Sequence, residues 1–162
     1  MSQTSTQTLV GIAFYDQPSR QYPRWALVLH RRHYDSQRVR VYQIRKDNDD
    51  WVLDHKKCPL KALGDLIGVL HLTISPYDIN VLDELLQAYP AGKESMNPGQ
   101  VFAWSPSAWV IRALIDMHES RFAVIPGRFR HRTFWEEGSE LSFILREESE
   151  TEGMRIMSWP TA

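Results

Sequence analysis

Hydrophobic positions recur with two different spacings along this 162-residue chain. The early stretches are short apolar runs or strict alternations. "TLVGIAFYD" (residues 8–16) and "RWALVLHR" (24–31) are aliphatic runs of strand length. "RVRVYQIR" alternates, placing Val39, Val41 and Gln43 on one side and Arg40, Tyr42 and Ile44 on the other. A period of two predicts a strand with one solvated face. The cluster "DNDD" separates it from "WVLDH", so the two are expected to form a hairpin. "DHKKC" follows as a turn, and "IGVLHLTI" is a fifth strand candidate. From there the period becomes helical. "SPYDINVLDELLQAYP" reads as a helix with Ser75 as N-cap, Pro76 at N1, an apolar face of Ile79, Leu82, Leu85 and Leu86, and Pro90 as its stop.

"AGKESMNPGQ" reads as a loop, after which "VFAWSPSAWVIRAL" opens a second helix. Ser105 can cap it, because its hydroxyl accepts a bond from a free N–H of the first turn. Pro106 suits N1, where its missing N–H costs nothing. "IPGRFRHR" is a turn with basic flanks, and "SELSFILREESE" predicts a third helix capped by Ser139. "MRIMSWPTA" fits a last strand or a loose tail. The expected fold is α+β: an antiparallel sheet with helices packed on it, one domain over residues 8–162, and a frayed tail at 1–7.

Composition adds exclusions. The net charge of −1 argues against a dedicated nucleic-acid binder. Charge is uneven, with Arg24, Arg31, Arg32, Arg38, Arg40, Arg45 and Lys46 early, and Glu136, Glu137, Glu140, Glu147, Glu148, Glu150 and Glu152 late. Solvated faces of opposite sign account for this; a basic patch for an anion is the alternative. One cysteine, Cys58, allows no internal disulfide and no cysteine zinc site. The start has no secretory pattern and no apolar run is of membrane length, so an intracellular, cytoplasmic protein is expected.

No catalytic motif stands out. His30 and His33 in "HRRH" would share a face only in a helix, and the pattern there is strand and turn. His55 and Cys58 could form a thiolate pair, but a small buried hydrophobe after a strand accounts for the cysteine. No P-loop, nucleophile elbow or dinucleotide fingerprint is present.

Three stretches in order, "QYPRWALVLH", "RVYQI…W…H" and "WSPSAWVIRAL", resemble a family of small fungal, mostly mushroom-type, proteins of uncharacterised function. That family is similar to the circularly permuted papain-like fold of lecithin–retinol-acyltransferase-like enzymes and relatives of cell-wall peptidases. The resemblance spans roughly residues 8–118. In the family the first stretch usually reads H-W-A-L and the last W-[SN]-C-x-x-W-V-I, carrying the catalytic His and Cys. Here those positions hold Arg24 and Pro106. Arginine stays protonated and cannot act as a base, and proline has no nucleophile. Gln43 is the first choice for the third polar position and His55 the second.

The resemblance therefore implies a pseudoenzyme. It would bind or regulate through the former active-site cleft, bordered by Arg24, Trp25, Gln43, Trp104, Ser105 and Ser107. Its ligand would be anionic, drawn by Arg24 and a helix N-terminus, or small and apolar. No cofactor or metal is expected, and the partner is a small molecule or a protein, with neither nucleic acid nor membrane. Two alternatives are enzymatic. One is a hydrolase or acyltransferase with a relocated nucleophile such as Ser105 or Ser107, served by His71 or His131. His30, six residues along the strand from Arg24, would lie about 20 Å away, too far to serve. The other is a small-molecule catalyst that needs only a shaped pocket.

Overall fold

The structure is a computed structural model, and it describes residues 7–92, 104–126, 131–147 and 154–160. Among the described residues, eight strands, three α-helices and a short 3₁₀ turn follow in chain order. The strands are β1 (Thr8–Tyr15), β2 (Arg24–His30), β3 (Val39–Tyr42), β4 (Ile44–Asp47), β5 (Asp50–Leu53), β6 (Lys56–Cys58), β7 (Leu66–Ser75) and β8 (Ile156–Ser158). The helices are α1 (Ile79–Gln87), α2 (Pro106–Glu119) and α3 (His131–Glu147). The main sheet runs β6-β3-β2-β1-β7-β8, and β4 and β5 form a separate hairpin. The fold is thus α+β, with a mostly antiparallel sheet: β8 lies parallel to β7, because the chain returns to that edge through α3.

Both faces of the central strands are buried. Val10, Ile12, Phe14, Trp25, Leu27 and Leu29 face the helices. Ala13, Tyr15, Ala26 and Val28 face a smaller core closed by Tyr34 and Leu60. Covering on both sides explains why β1 and β2 read as apolar runs without alternation.

The alternating stretch 38–45 departs from expectation. It is two strands, broken at Gln43, whose N–H donates to His55 Nδ1 (3.1 Å) and whose carbonyl accepts from Asp54 N–H (2.9 Å). Tyr42, expected on a solvated face, is buried against α1, where its hydroxyl donates to Asp83 (2.6 Å). The hairpin is as expected but shorter, β4 with β5, and Asn48 takes the left-handed conformation (φ 57°) at its turn. "DHKKC" is also more than a turn, since Lys56–Cys58 pairs with Val39–Val41 as the edge strand.

Helix ends were partly legible. Ser105 caps α2 as expected, accepting from Ala108 N–H (3.2 Å), with Pro106 at the first helical position. Ser75 does not cap α1; it ends β7, and its hydroxyl is taken by the Phe122 carbonyl (2.6 Å). Asp78 caps instead, accepting from Asn80 N–H (3.1 Å). Ser139 does not cap α3 either. The helix starts eight residues earlier, at His131, so Ser139 and Gly138 sit in its interior. A Gly-Ser pair reads locally as a helix boundary, but here the missing Cβ makes room for Trp25, whose Cη2 would lie 2.5 Å from a Cβ at residue 138. The expected 1–7 tail, the "AGKESMNPGQ" loop and the "IPGRFRHR" turn fall mainly outside the described residues. Among the described residues no helix is long and apolar enough to cross a membrane.

Candidate functional site

At the N-terminus of α2 lies a cavity of about 530 Å³. Ser105, Pro106 and Ser107 form one wall, and Gln21, Tyr22 and Arg24 from the segment entering β2 form the other. Trp135 of α3 closes the side, its ring 4.8 Å from that of Tyr22. The chemistry of this wall is limited. Ser105 Oγ and Ser107 Oγ are hydrogen-bonded to each other (3.0 Å), and Ser105 is also occupied as the helix cap. No histidine, cysteine or carboxylate lines the cavity among the described residues. A serine nucleophile requires such a base to take its proton.

Arg24 borders this cavity, but its guanidinium is committed elsewhere. Nη1 donates to Gln43 Oε1, and Nη2 donates to the Leu63 carbonyl (3.0 Å). The group also stacks on the Tyr15 ring, 4.4 Å from its centroid. Burial lowers the Arg24 pKa from its ordinary value, while the Tyr15 and Asp54 charges oppose that shift. Gln43, only 4% exposed, reaches Asp54 with Nε2 (3.4 Å). A buried amide needs partners, and Gln43 finds side chains as well as backbone. Arg24 and Gln43 together border a second, smaller cavity of about 310 Å³ with Asp54 and Leu63. Arg24 is therefore the wall between the two spaces.

The remaining sequence candidates separate. Trp25 points to the helix side of the sheet, into the core, edge-on to Phe14 (5.4 Å). Trp104 is also in the core, its indole N–H donating to the Ala91 carbonyl (2.8 Å). Neither lines the α2 cavity. His55 lies in a third cavity beside α1, its ring 5.0 Å from Tyr42 and 5.5 Å from Trp109. Its Nδ1 accepts from Gln43 N–H, so the ring proton sits on Nε2. The Leu86 carbonyl favours the protonated ring, yet it completes no hydrogen bond to that buried nitrogen. Sequence reasoning missed Tyr22 and Trp135 as cavity residues. Tyr22 precedes its strand and Trp135 is on a helix that was placed too late, so no local pattern linked them.

Three histidines are shifted toward the neutral form. Burial lowers the pKa of His55, His71 and His30, and for His30 the neighbouring His33, Arg31 and Arg32 add to it. His71 Nδ1 is paired with the Tyr34 hydroxyl (2.7 Å) beneath Gly11, where no Cβ would fit. Below the ordinary histidine value of about 6.5 the unfolded chain takes up protons that the folded chain refuses, so acid favours unfolding. The urea midpoint should be level around neutrality, fall as pH drops through that value, and level off once the folded histidines also protonate. The Asp78 carboxyl, held low by the Asn80 N–H, adds its loss only in stronger acid. A midpoint that stays flat or rises between neutral and mildly acidic pH would contradict this.

Among the described residues, no group of three or more His, Cys, Asp and Glu side chains is arranged to hold a metal ion. Burial raises the pKa of the Cys58 thiol, with Lys56 opposing, which is opposite to what an activated nucleophile needs. Comparison with known proteins finds no family model, no curated protein and no solved structure that matches the chain.

Proposed function

We propose that this protein is a non-catalytic relative of the permuted papain-like enzymes, and that it binds a small ligand in the cleft at the α2 N-terminus. One observation carries the reading. Arg24 and Pro106, the two positions where such an enzyme would hold its base and nucleophile, border the same cleft. Neither can do that chemistry, and among the described residues, which leave out the His131 side chain, the cleft's two serines face each other without a base. Space and an aromatic wall of Tyr22 and Trp135 remain, which suits binding. Because the Arg24 guanidinium is already paired, the ligand is held by the aromatic wall, by the amide and hydroxyl groups around it, and by the exposed guanidinium of Arg20, which also lines the cleft. A small ligand with an apolar ring and an acidic group fits this lining.

The test has two arms. A fluorophosphonate probe and a panel of aryl esters and short peptides should give no labelling, and no turnover that Ser105→Ala, Ser107→Ala or Cys58→Ala removes. Labelled Ser105 or Ser107 would establish the relocated hydrolase instead. Ligand-observed NMR with a set of small aromatic amides and acids should give binders whose signals are lost with Tyr22→Ala. Binders that are indifferent to Tyr22→Ala, or none at all, would count against the cleft.

A further inference from the structure

The edge of the sheet under α1 holds positive charge that the fold does not use. Arg40 and Tyr42 alternate with the inward-facing Val39 and Val41, so they point to the α1 side of β3. Lys57 is the direct cross-strand partner of Arg40 on β6 and shares that side. Two like charges placed opposite each other destabilise a strand pair. Arg40 is compensated, since it donates to Asn80 Oδ1 (2.9 Å) and lies 3.7 Å from Asp83. Lys57 is exposed and makes no ion pair among the described residues. Lys56 is held by Asp54 (3.5 Å) and also reaches the same space.

That space is a cavity of about 400 Å³. Its far wall is one stripe of α1, Asn80, Asp83 and Gln87, spaced three and four apart and so on one face. Asp83 is the only carboxylate lining it among the described residues, and Asp83 is already taken by the Tyr42 hydroxyl (2.6 Å) and the Arg40 guanidinium. Asn80 lines the cavity and uses its carbonyl oxygen on Arg40, which leaves its amide N–H groups as donors. Of the three cations in the lining, Arg40 and Lys56 are ion-paired and Lys57 is open; the Gln87 amide reaches Asp83 (3.5 Å), which leaves the Asn80 amide as the second donor.

We infer that the cavity between β3, β6 and α1 is a binding site for a phosphorylated small molecule, with Lys57 and the Asn80 amide as its phosphate subsite and the paired Arg40 guanidinium holding Asn80 in place behind them. An ammonium group together with amide N–H donors is a usual recognition set for a phosphate. The volume exceeds what a phosphate needs, so the ligand carries an organic part along Gln87 and His55. The site is separate from the α2 cleft and does not rest on the reading of that cleft.

Inorganic phosphate and phosphoserine are the probes, with sodium chloride at matched ionic strength as control. Amide shifts should be saturable at millimolar phosphate and centred on Lys57, Asn80 and Gln87, with phosphoserine tighter than phosphate. Lys57→Glu, on an exposed edge, should weaken binding by about tenfold or more. Asp83→Asn keeps an acceptor for Tyr42 and removes the opposing charge, so it should tighten binding severalfold. Tyr22→Ala in the α2 cleft should leave it unchanged. Shifts reproduced by chloride, or unaffected by Lys57→Glu, would overturn the proposal, as would Asp83→Asn that binds no better.

Discussion

Alanine at Trp25 is expected to destabilise the protein by about 3–5 kcal/mol, the range for a large aromatic removed from a packed core. Trp25 is wholly buried on β2, which packs on α2, and its ring reaches α3 at Phe134 and Gly138. Its ring meets Phe14 edge-on at 5.4 Å and Phe134 at 6.5 Å, and Phe134 in turn stacks on Trp159 at 4.8 Å. One side chain therefore joins the sheet, α3 and the C-terminal strand segment. The reciprocal change tests the same contact. Gly138→Ala should gain up to about 1 kcal/mol of helix propensity. It also drives a Cβ to within 2.5 Å of Trp25 Cη2, in a ring that is wholly buried. Overpacking of this kind costs about 1–3 kcal/mol, so the net effect is destabilising. Trp25→Phe combined with Gly138→Ala should be less damaging than the two changes added, because the colliding atoms are gone. Urea midpoints for the single and double variants measure this; a Gly138→Ala protein more stable than the parent would mean the indole packs elsewhere.

Leucine at Arg24 is the second large effect, a loss of about 2 kcal/mol. The change strips the donor from Gln43 Oε1 and from the Leu63 carbonyl, and leaves a buried amide short of a partner. Gln43→Leu should cost a comparable amount, and the double variant much less than the sum, since the two side chains satisfy each other. The measurement also separates two roles for Arg24. A guanidinium kept for an external anion would cost little to remove; one that locks β2 to β3 and to the turn before β7 costs stability. An Arg24→Leu protein as stable as the parent would restore the anion-binding role.

Much of the frame could be read from spacing. The runs that became β1, β2 and β7, the β4–β5 hairpin, and α2 with its Ser105 cap and Pro106 all follow from local pattern. Each depends on groups close in the chain: an alternation, a turn cluster, a hydroxyl reaching a nearby N–H. The misreadings share a cause. Ser75 and Ser139 look like helix caps, but Ser75 answers to the distant Phe122 carbonyl, and Ser139 follows a glycine, Gly138, whose missing Cβ makes room for the Trp25 ring inside a longer helix. Tyr42 looked solvent-facing until α1 placed Asp83 beside it.

The candidate site divides in the same way. Sequence alone determined that the α2 N-terminus carries serines around a proline and that an arginine opens β2. It also determined that Gln43 would need buried partners. Only the tertiary structure decided who those partners are, since Arg24, Gln43, Asp54 and Leu63 come together through backbone turns that no local pattern specifies. It decided too that Trp25 and Trp104 belong to the core while Tyr22 and Trp135 wall the cleft. The physical reason is range: caps, turns and periodicity act over a few residues, whereas burial and the pairing of a charged side chain depend on which surfaces the fold brings into contact.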